Sequence, residues 1–483
     1  MLSIDIGDLS LKPEISTRQE ALYLAIKEKV LSGCWRPTHR LPASRALAVH
    51  LSISRNTVIA AYEQLKAEGY IDSKRGSGFF VTLNAPEKFL AVSPDIQPEI
   101  KNIDTSINEE ILASQRNRPF RPGVPDLEAF PYLKWRRILN RHTSRPIFAG
   151  QNSVQGTLAL RRAVSQYLAS SRSVECGPEN VIVTQGAQQA LFIAASAILR
   201  RGDRVAIEDP GYQHATKIFR HIECRLQPIN VRPKSGLDLS QLQDVKARCL
   251  YLTPSNQYPM GTSICSSGRL SCIDWAGRNN AWIIEDDYDS EFQFAHRPHP
   301  SLQGLALNMA DAFSNVIYVG TFSKTMLPSL RIGYLVVPEH LVDQCLMLKA
   351  LITGDTPAFQ ELALAEFIEN GDYLRHIRKM RNLYKSKHDF FISCLKASLG
   401  SNHVLMSQPA GMHITFGWLK GRSAIEVKNK LAAVDITVRT LDEFLLHNHA
   451  HFFDYEKTLI AGFGNSSLEQ IERGVKQISA YIQ

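Results

Sequence analysis

The chain has 483 residues, 44% of them hydrophobic and 21% charged, and a formal net charge of +8 at pH 7. This length exceeds the roughly 250 to 300 residues at which one core stops growing, which excludes a single small domain. No run of about 18 uncharged apolar residues occurs, which argues against a membrane-spanning helix, and the eight scattered cysteines form no Cys-x-x-Cys pair that would indicate a zinc site or a disulfide framework.

The first eighty residues predict a small helical module. The chain begins without the basic region and long apolar core of a secretory signal, so a cytoplasmic protein is expected. A helix is predicted from Arg18 to Leu31, because apolar residues recur there at helical spacing. A short helix through His50, capped by Ser44, and a third from Arg55 to about Glu68, capped by Ser54, follow. Two helices joined by a short turn indicate a helix-turn-helix.

The third predicted helix has one apolar face, formed by Val58, Ala61, Tyr62 and Leu65, which leaves its first turn polar and outward. A recognition helix contacts bases and phosphates with that turn, and the basic, glycine-rich tip of a hairpin from Ser73 to Val81 can follow phosphates. The alternative is that these basic residues are ordinary solvated charges. The residues predicted to contact DNA are Ser44, Arg45, Ser54, Arg55, Asn56, Thr57, Lys74, Arg75 and Gly76.

These segments resemble the winged helix-turn-helix of the GntR family, through the stretches at 41–48, 54–58 and 76–78. The resemblance implies that residues 12–82 form a domain that binds double-stranded operator DNA. Between 83 and 115 the periodicity is lost and Pro86, Pro94 and Pro98 interrupt polar residues, so a linker is predicted. A larger domain is predicted from 116 to 483.

In the larger part, helical patterns alternate with short apolar strands. Strands so apolar, spaced by helices, predict an α/β fold with a parallel sheet covered on both faces. In such sheets ligands collect at the carboxyl ends of the strands, so the segments that follow them are expected to hold the chemistry. The predicted strands lie at 181–183, 204–207, 249–252, 282–284 and 316–319.

Two of these strands lead into polar segments. After 181–183 comes Gln185 to Leu191, a turn entering a helix whose free backbone N–H groups can take a phosphate. After 282–284 comes an acidic cluster from Glu285 to Phe292. A carboxylate there can face a pyridine nitrogen, and a phenol can hydrogen-bond a ring hydroxyl. A solvated loop and a metal site are the alternatives for this cluster.

The segment from Gly320 to Tyr334 places one lysine, Lys324, between hydroxyls and an arginine. Its amine can form a Schiff base with an aldehyde, while Thr321, Ser323 and Arg331 can bind a phosphate. Pyridoxal 5'-phosphate carries both groups. Taken alone, the segment is equally compatible with a solvated loop lysine.

The order of these segments resembles the MocR/GabR family of bacterial regulators, which join a GntR-type winged helix-turn-helix to a domain with the fold of type I pyridoxal-phosphate aminotransferases. The resemblance covers nearly the whole chain from about Ser16. It implies an α/β domain of aminotransferase fold type I with a mainly parallel sheet, pyridoxal 5'-phosphate as cofactor and a head-to-tail homodimer. The signature stretches lie at 120–123, 183–191, 208–212, 253–259, 285–292 and 320–334.

The resemblance also implies roles for individual residues. Lys324 becomes the Schiff-base lysine and Asp286 the partner of the pyridinium nitrogen. Tyr288 becomes the donor to the ring hydroxyl, and Tyr212 lies against the ring face. The residues implied at the phosphate are Gly186, Ala187, Thr321, Ser323 and Arg331, and Gln188 and Asn256 lie next to these positions.

Two positions depart from the family pattern. Aminotransferases of this fold hold the substrate carboxylate with an arginine in a late strand, where this chain has Ile460. The GABA-responsive member of the family has an arginine near the Pro-Gly-Tyr turn, where this chain has His214. Both departures argue against GABA as the effector. Arg439 can substitute, although an ordinary strand or loop arginine is the favoured interpretation.

Three functions remain for the whole chain. The leading hypothesis is a transcription regulator that senses pyridoxal phosphate, or an amino compound that forms an aldimine with it at Lys324, in the control of vitamin B6 or amino-compound metabolism. The alternative is an active aminotransferase with an appended DNA-binding domain, which Ile460 disfavours because turnover needs an orienting group. A dimerisation scaffold without cofactor is the third, and it leaves Lys324 and Asp286 without a purpose. No metal site is expected.

Overall fold

The computed structural model of the chain describes residue 9 and residues 17–74, 77–82, 117–144, 150, 152–295, 299–308, 315–446 and 455–483. Contacts divide the chain into two compact units, Met1–Ile107 and Asn108–Gln483. The predicted linker at 83–115 and residues 12–16 of the predicted DNA-binding domain lie outside the described residues. Within the described ranges, no helix combines the length and the apolar character that crossing a bilayer requires.

The N-terminal unit packs three helices against a hairpin. Leu22, Val58, Tyr62 and Leu65 are completely buried, so the predicted apolar face of the third helix is its core face. The hairpin strands are antiparallel. This arrangement confirms the predicted winged helix-turn-helix. The elements are α1 (Arg18–Leu31), α2 (Ser44–His50), α3 (Arg55–Ala67), β1 (Ile71–Lys74) and β2 (Gly78–Val81).

The two predicted helix caps have different outcomes. Ser54 is the N-cap of α3, and its hydroxyl accepts a hydrogen bond from the backbone N–H of Thr57 at 3.1 Å. The prediction of Ser44 as a cap is wrong, because α2 begins at Ser44 itself. Ala43 holds the extended cap position and makes no side-chain bond to the helix. Pro42 precedes this position, and the helix starts one residue earlier than a serine cap would allow.

The larger unit contains two sheets in its described residues. Its strands in chain order are β3 (Val181–Thr184), β4 (Arg204–Asp209), β5 (Arg225–Arg232), β6 (Gly236–Leu237), β7 (Cys249–Leu252), β8 (Trp282–Asp287), β9 (Val316–Thr321), β10 (Gly333–Val336), β11 (His403–Leu405), β12 (His413–Trp418), β13 (Arg439–Thr440) and β14 (Thr458–Gly462). The first eight form one sheet in the order β3-β10-β9-β8-β7-β4-β5-β6, and the last four form an antiparallel sheet in the order β11-β12-β14-β13.

The eight-stranded sheet is mainly parallel, as predicted. Four pairs of neighbouring strands are parallel: β9 with β8, β8 with β7, β7 with β4, and β4 with β5. Strand β10 runs antiparallel to both β3 and β9, and β6 runs antiparallel to β5. Side chains bury both faces. Ile207, Tyr251 and Ile284 belong to one apolar cluster, and Leu250 and Ile283, one residue earlier along their strands, belong to another on the opposite face.

Helices cover the sheets. They are α4 (Tyr132–Thr143), α5 (Leu158–Arg172), α6 (Ala187–Ile198), α7 (Gln213–His221), α8 (Leu239–Gln243), α9 (Ser266–Arg278), α10 (Leu302–Leu307), α11 (Glu339–Ile352), α12 (Ala358–Glu369), α13 (Asp372–Leu399), α14 (Ala424–Ala432) and α15 (Leu468–Ile482). Short 3-10 turns lie at Pro328–Leu330, Gly400–Asn402, Leu441–Phe444 and Tyr455–Lys457.

Strand β8 continues into the acidic cluster, which was predicted to follow it. Glu285 and Asp287 point to one face of the sheet, where Arg269 and Arg172 form buried ion pairs with them at 3.3 and 2.7 Å. Asp286 points to the opposite face. The two arginines make it possible for acidic residues to continue a buried strand, because each neutralises one carboxylate.

Candidate functional site

The outer surface of the N-terminal unit contains most of the residues predicted to contact DNA. Arg45 on α2 and Arg55 and Asn56 in the first turn of α3 are exposed, whereas Ser44 and Thr57 are half-buried. The Nε of Arg55 donates to the hydroxyl of Ser44 at 3.4 Å, so the two helices meet beside this turn.

The hairpin adds one more cation to this unit. Lys74 at the end of β1 is exposed, and its Nζ lies 5.3 Å from the centre of the Phe80 ring. The predicted contacts Arg75 and Gly76 lie outside the described residues. The described part of the unit therefore presents the polar first turn of α3 together with exposed arginines and the exposed Lys74 of the hairpin.

The larger unit has a cavity of about 520 Å³ at the carboxyl ends of β4, β8 and β9. Nine of the eleven residues predicted for the cofactor line it, while Gly186 and Asn256 lie just behind its wall. The nine are Ala187, Gln188, Tyr212, Asp286, Tyr288, Thr321, Ser323, Lys324 and Arg331. The other lining residues are Pro122, Gly123, Gln213, His214, Lys217, Thr253, Tyr258, Asp289, Met412, His413, Arg439, Glu443 and Phe444.

Lys324 follows β9 and projects its amine into this cavity. The Nζ donates to the backbone carbonyl of Gly123 at 2.7 Å. A Cβ at Gly123 would lie 2.7 Å from the same Nζ and would displace it, and φ there is +80°, so the backbone conformation favours glycine. Enclosure by the protein lowers the pKa of Lys324, against the opposing effects of Asp289 and Asp286. A lowered pKa leaves more of the amine in its nucleophilic, neutral form.

Asp286 is 3% exposed and has one oxygen without a partner. The hydroxyl of Tyr251 donates to Oδ2 at 2.7 Å, whereas Oδ1 is buried without a hydrogen bond among the described residues. Burial raises the pKa of Asp286 to about 7. A protonated ring nitrogen placed against Oδ1 would both fill this vacancy and offset the cost of a buried charge, so the residue fits the cofactor that the sequence implies.

Hydroxyl, guanidinium and backbone donors meet at the end of β9. Thr321 Oγ1 donates to Ser323 Oγ at 3.2 Å, and Arg331 Nη2 donates to the Gln185 carbonyl at 3.1 Å. Gly186 precedes α6, with φ at +84°, and a Cβ there would approach the Arg331 guanidinium carbon to 3.3 Å. The guanidinium therefore sits beside the free N–H groups of the α6 N-terminus, which suits a phosphate.

The hydroxyl of Tyr288 already donates a hydrogen bond within the protein. It binds the backbone carbonyl of Asn256 at 2.8 Å. The side-chain amide of Asn256 in turn donates to both oxygens of Asp289, at 3.0 and 2.8 Å. Donation from Tyr288 to a ring hydroxyl therefore requires its proton to leave the Asn256 carbonyl. Tyr212 lies beside this group and meets the Tyr258 ring edge to face at 6.2 Å.

The structure brings Arg439 into the cavity wall, whereas the sequence favoured an ordinary strand or loop arginine. Ile460 is completely buried in β14, and Arg439 on β13 is directly opposite it in the sheet register. The guanidinium thus comes from the strand next to the expected one. Arg439 Nη1 donates to Glu443 at 2.6 Å, and Glu443 also accepts from Lys428 at 2.7 Å.

Three basic residues share the same part of the wall. His214 and Lys217 stand one turn apart on α7, and the pKa of His214 is lowered by its burial and by the charges of Lys217 and Arg439. No ion pair of Lys217 occurs among the described residues. This region therefore has more positive than negative charge, which suits a ligand with an acidic group.

Sequence reasoning gave no role to several residues of the wall. Asp289 belongs to the acidic cluster and Tyr258 to a signature stretch, so a local signal for both was present. His413 begins β12 in the separate antiparallel sheet, and nothing in its immediate sequence marks it. Within the described ranges, no group of three or more His, Cys, Asp or Glu side chains is arranged to hold a metal ion.

Comparison with known proteins connects both units to named families. Residues 124–445 match the family described as aminotransferase class I and II, and residues 18–81 match bacterial regulatory proteins of the gntR family. The chain is 37% identical over 404 residues to the probable rhizopine catabolism regulatory protein MocR of Rhizobium meliloti, covering 81% of this chain and 80% of that protein. It is 29% identical to the HTH-type pyridoxine biosynthesis transcriptional regulator PdxR of Corynebacterium glutamicum, covering 94% of this chain and 93% of that protein.

Among solved structures, the larger unit is similar to LysN, the α-aminoadipate aminotransferase of Thermus thermophilus complexed with N-(5'-phosphopyridoxyl)-L-leucine. The TM-score is 0.69 at 23% identity, covering 77% of this chain and 94% of that one. This likeness concerns the fold, and it confirms the predicted aminotransferase fold type I.

Proposed function

The chain belongs to the MocR/GabR family of regulators, and from that premise we propose that it is a transcription regulator whose binding to operator DNA responds to pyridoxal 5'-phosphate or to an amino compound that reacts with the bound cofactor. The observation that carries the proposal is that Lys324 and Asp286 both line one cavity. The amine is held at 2.7 Å from the Gly123 carbonyl, and the carboxylate keeps one buried oxygen unpaired.

Each wall of the cavity has a separate task in this proposal. Asp286 Oδ1 would accept a hydrogen bond from the ring nitrogen, and Tyr212 would contact the ring. Arg331 and the hydroxyls of Thr321 and Ser323 hold the phosphate, together with the N–H groups that begin with Ala187. Bound pyridoxal 5'-phosphate supplies an aldehyde that condenses with amines and a ring that withdraws electrons. Lys324 would supply the amine that attaches the cofactor, from the position in which the Gly123 carbonyl holds its Nζ.

Binding of DNA is assigned to the N-terminal unit. Arg45, Arg55 and Asn56 are exposed around the first turn of α3, where a recognition helix reads bases and phosphates. A ligand in the larger unit alters DNA affinity only if it binds one arrangement of the protein better than another. The head-to-tail homodimer implied by the resemblance would present two such N-terminal units to a repeated operator.

The effector is either the cofactor itself or an amino compound. The relative named a pyridoxine biosynthesis transcriptional regulator supports the first, because pyridoxine is a form of the vitamin from which the cofactor derives. The basic wall around Lys217 and Arg439 supports the second, because it offers a place for an acidic group beyond Lys324.

The absorption spectrum of the purified protein with pyridoxal 5'-phosphate tests attachment to Lys324. We expect a visible band that Lys324→Ala abolishes and that Lys420→Ala, which removes an exposed lysine, leaves unchanged. Electrophoretic mobility of DNA from upstream of the protein's own gene, with and without the cofactor, tests the response. A cofactor that binds without changing DNA affinity, alone or with any of a panel of amines, would contradict the regulatory proposal.

An active aminotransferase is the second candidate, and Arg439 is the observation that favours it. Its guanidinium lines the cavity from the strand opposite Ile460, so the site does not lack an orienting cation. Formation of a keto acid from an amino acid, followed by recycling with a second keto acid, would give this candidate first place. Conversion limited to one half-reaction would leave the regulator as the better description.

A further inference from the structure

His413 is a buried histidine in the cavity wall that has no role in the function proposed above. It is the first residue of β12 and is 3% exposed. Its Nε2 lies 3.1 Å from the backbone carbonyl of Pro259, which also accepts a hydrogen bond from the Thr415 hydroxyl. A carbonyl oxygen carries no proton, so Nε2 must be the protonated nitrogen of the ring.

The other ring nitrogen is therefore an acceptor. Burial lowers the pKa of His413 to about 4, with a further contribution from the charge of Lys324, so the ring is neutral at pH 7. Nδ1 makes no hydrogen bond among the described residues. It is also not one of their fully buried polar atoms that lack a partner, so part of Nδ1 is accessible. Because His413 lines the cavity, we infer that Nδ1 opens onto it. The Tyr258 ring meets the imidazole nearly edge to face at 5.2 Å and limits its rotation.

The two carboxylates in this half of the cavity already have partners. Both oxygens of Asp289 accept from the Asn256 amide. Glu443 accepts from Lys428 and Arg439. Lys217 and the free part of the Arg439 guanidinium are donors, and other polar side chains of the wall, such as His214 and the Tyr258 hydroxyl, can donate or accept. A ligand with an acidic group can accept hydrogen bonds from those donors. A ligand with a second N–H or O–H group needs an acceptor in the wall.

We propose that His413 Nδ1 accepts a hydrogen bond from the bound amino compound, and that the site prefers amines with a second donor, a hydroxyl or an ammonium, beyond the amine that reacts at Lys324. This inference rests on the proposed function, since it concerns the ligand of the same cavity. The preference arises because a ligand without that donor leaves a fixed, buried acceptor unpaired.

Two substitutions separate this role from a structural one. His413→Asn places an amide oxygen near the position of Nδ1 and gives up the bond to Pro259. His413→Gln reaches the position of Nε2, keeps a donor to the Pro259 carbonyl and removes the acceptor that faces the cavity. If His413 has only a structural role, the glutamine variant should show the ligand preference of the native protein and the asparagine variant should not. The proposed role predicts the reverse.

The test uses the full chain loaded with pyridoxal 5'-phosphate and two probes of equal length, 3-amino-1-propanol and n-butylamine. The dissociation constant of each probe is taken from the spectral change on titration and, independently, from calorimetry. We expect the native protein to prefer the amino alcohol by about tenfold, which is the usual worth of one such hydrogen bond. Because the ratio is taken within each variant, a general loss of affinity does not affect it.

His413→Asn should keep most of this preference, and His413→Gln should reduce it to within about twofold. A tenfold preference that persists in His413→Gln, or a native protein without any preference, would overturn the inference while leaving the proposed function intact. A native protein that shows no cofactor band would instead overturn the proposed function and this inference with it.

Discussion

Asp286 differs from the acids on either side of it in the partner that the protein supplies. Glu285 and Asp287 each meet a buried arginine on one face of β8, whereas Asp286 on the other face accepts a hydrogen bond from the Tyr251 hydroxyl and, within the described ranges, forms no ion pair. A hydrogen bond from a neutral hydroxyl compensates a buried carboxylate less than an arginine does. Asp286 is therefore less fully compensated than its neighbours, by the Tyr251 hydroxyl and the charge of Lys324, at the point where the cofactor ring is proposed to bind.

Substitution of Asp286 tests this imbalance through pH. Its folded-state pKa is raised from an ordinary 3.8 to about 7, so the folded, cofactor-free protein holds a proton that the unfolded chain has released. That stabilisation is complete below pH 4 and is lost as the pH rises through 7. Asp286→Asn has no charge to bury, so we expect it to exceed the native protein in stability at pH 8, by at most about 4 kcal/mol.

The measurement is the urea midpoint of the cofactor-free protein at pH 5 and pH 8. The stability difference between Asp286→Asn and the native protein should shrink toward pH 5. Asp274→Asn, at an exposed position on α9, is the matched control and should change stability little at either pH. A difference that does not depend on pH would contradict the burial cost. The same Asp286→Asn variant should bind the cofactor more weakly.

Single residues also show how far the sequence could predict the site. Lys324 and Asp286 were identifiable because each lies in a motif next to a predicted strand. Arg439 was not, because its place in the cavity depends on strand pairing: Arg439 is opposite Ile460 only once β13 and β14 are aligned. His413 was missed for the same reason, since the antiparallel sheet brings it to the cavity from a distant part of the chain.

At the scale of elements, local signals predicted boundaries well wherever a helix has a defined cap. The bounds of α1 agree with the apolar spacing, and Ser54 caps α3 as predicted. The end of β8 was placed too early because acidic residues normally end a buried strand. Arg172 on α5 and Arg269 on α9 neutralise Asp287 and Glu285 at the end of this strand. These arginines are distant in sequence, so the local pattern of the strand could not predict its true end.

The cap of α3 provides a prediction about DNA recognition. Ser54→Ala removes the bond to the Thr57 N–H and should lower the stability of the N-terminal unit by about 1 kcal/mol. Because the first turn carries Arg55 and Asn56, DNA affinity should fall as well. Ser32→Ala is the control, since Ser32 is exposed after α1 and its hydroxyl donates to the Lys29 carbonyl of the same helix; its effect on stability should stay within about 0.5 kcal/mol.

Amide hydrogen exchange of the first turn of α3, together with the unfolding midpoint of the N-terminal unit, checks this prediction. Faster exchange in Ser54→Ala than in Ser32→Ala is the expected result. Equal effects of the two substitutions would mean that the serine bond does not hold the turn that faces DNA.

For the whole molecule, two compact units predict two separable responses. Calorimetry of the full chain should resolve two unfolding transitions, and pyridoxal 5'-phosphate at about 100 times its dissociation constant should stabilise the one that belongs to the larger unit by about 2.7 kcal/mol. The transition of the N-terminal unit should not move. A single transition that shifts as a whole would mean that the two units unfold together.

Each substitution should affect the function of the unit that contains it and leave the function of the other unit unchanged. Lys324→Ala is expected to abolish covalent attachment of the cofactor while DNA binding remains. Arg55→Ala is expected to weaken DNA binding several-fold while the absorption spectrum of the bound cofactor stays unchanged. Loss of the cofactor band in Arg55→Ala, or a band that survives in Lys324→Ala, would show that this division of labour is wrong.

The unpaired oxygen of Asp286 also bears on how long the protein survives in a cell. A cofactor bound against that oxygen would stabilise the larger unit by mass action, and the unit would then open less often. Proteases degrade chains in proportion to the time they spend open. We therefore expect cells starved of vitamin B6 to contain fewer copies of this protein, so that its abundance, measured by pulse-chase, follows the vitamin supply before any effector acts.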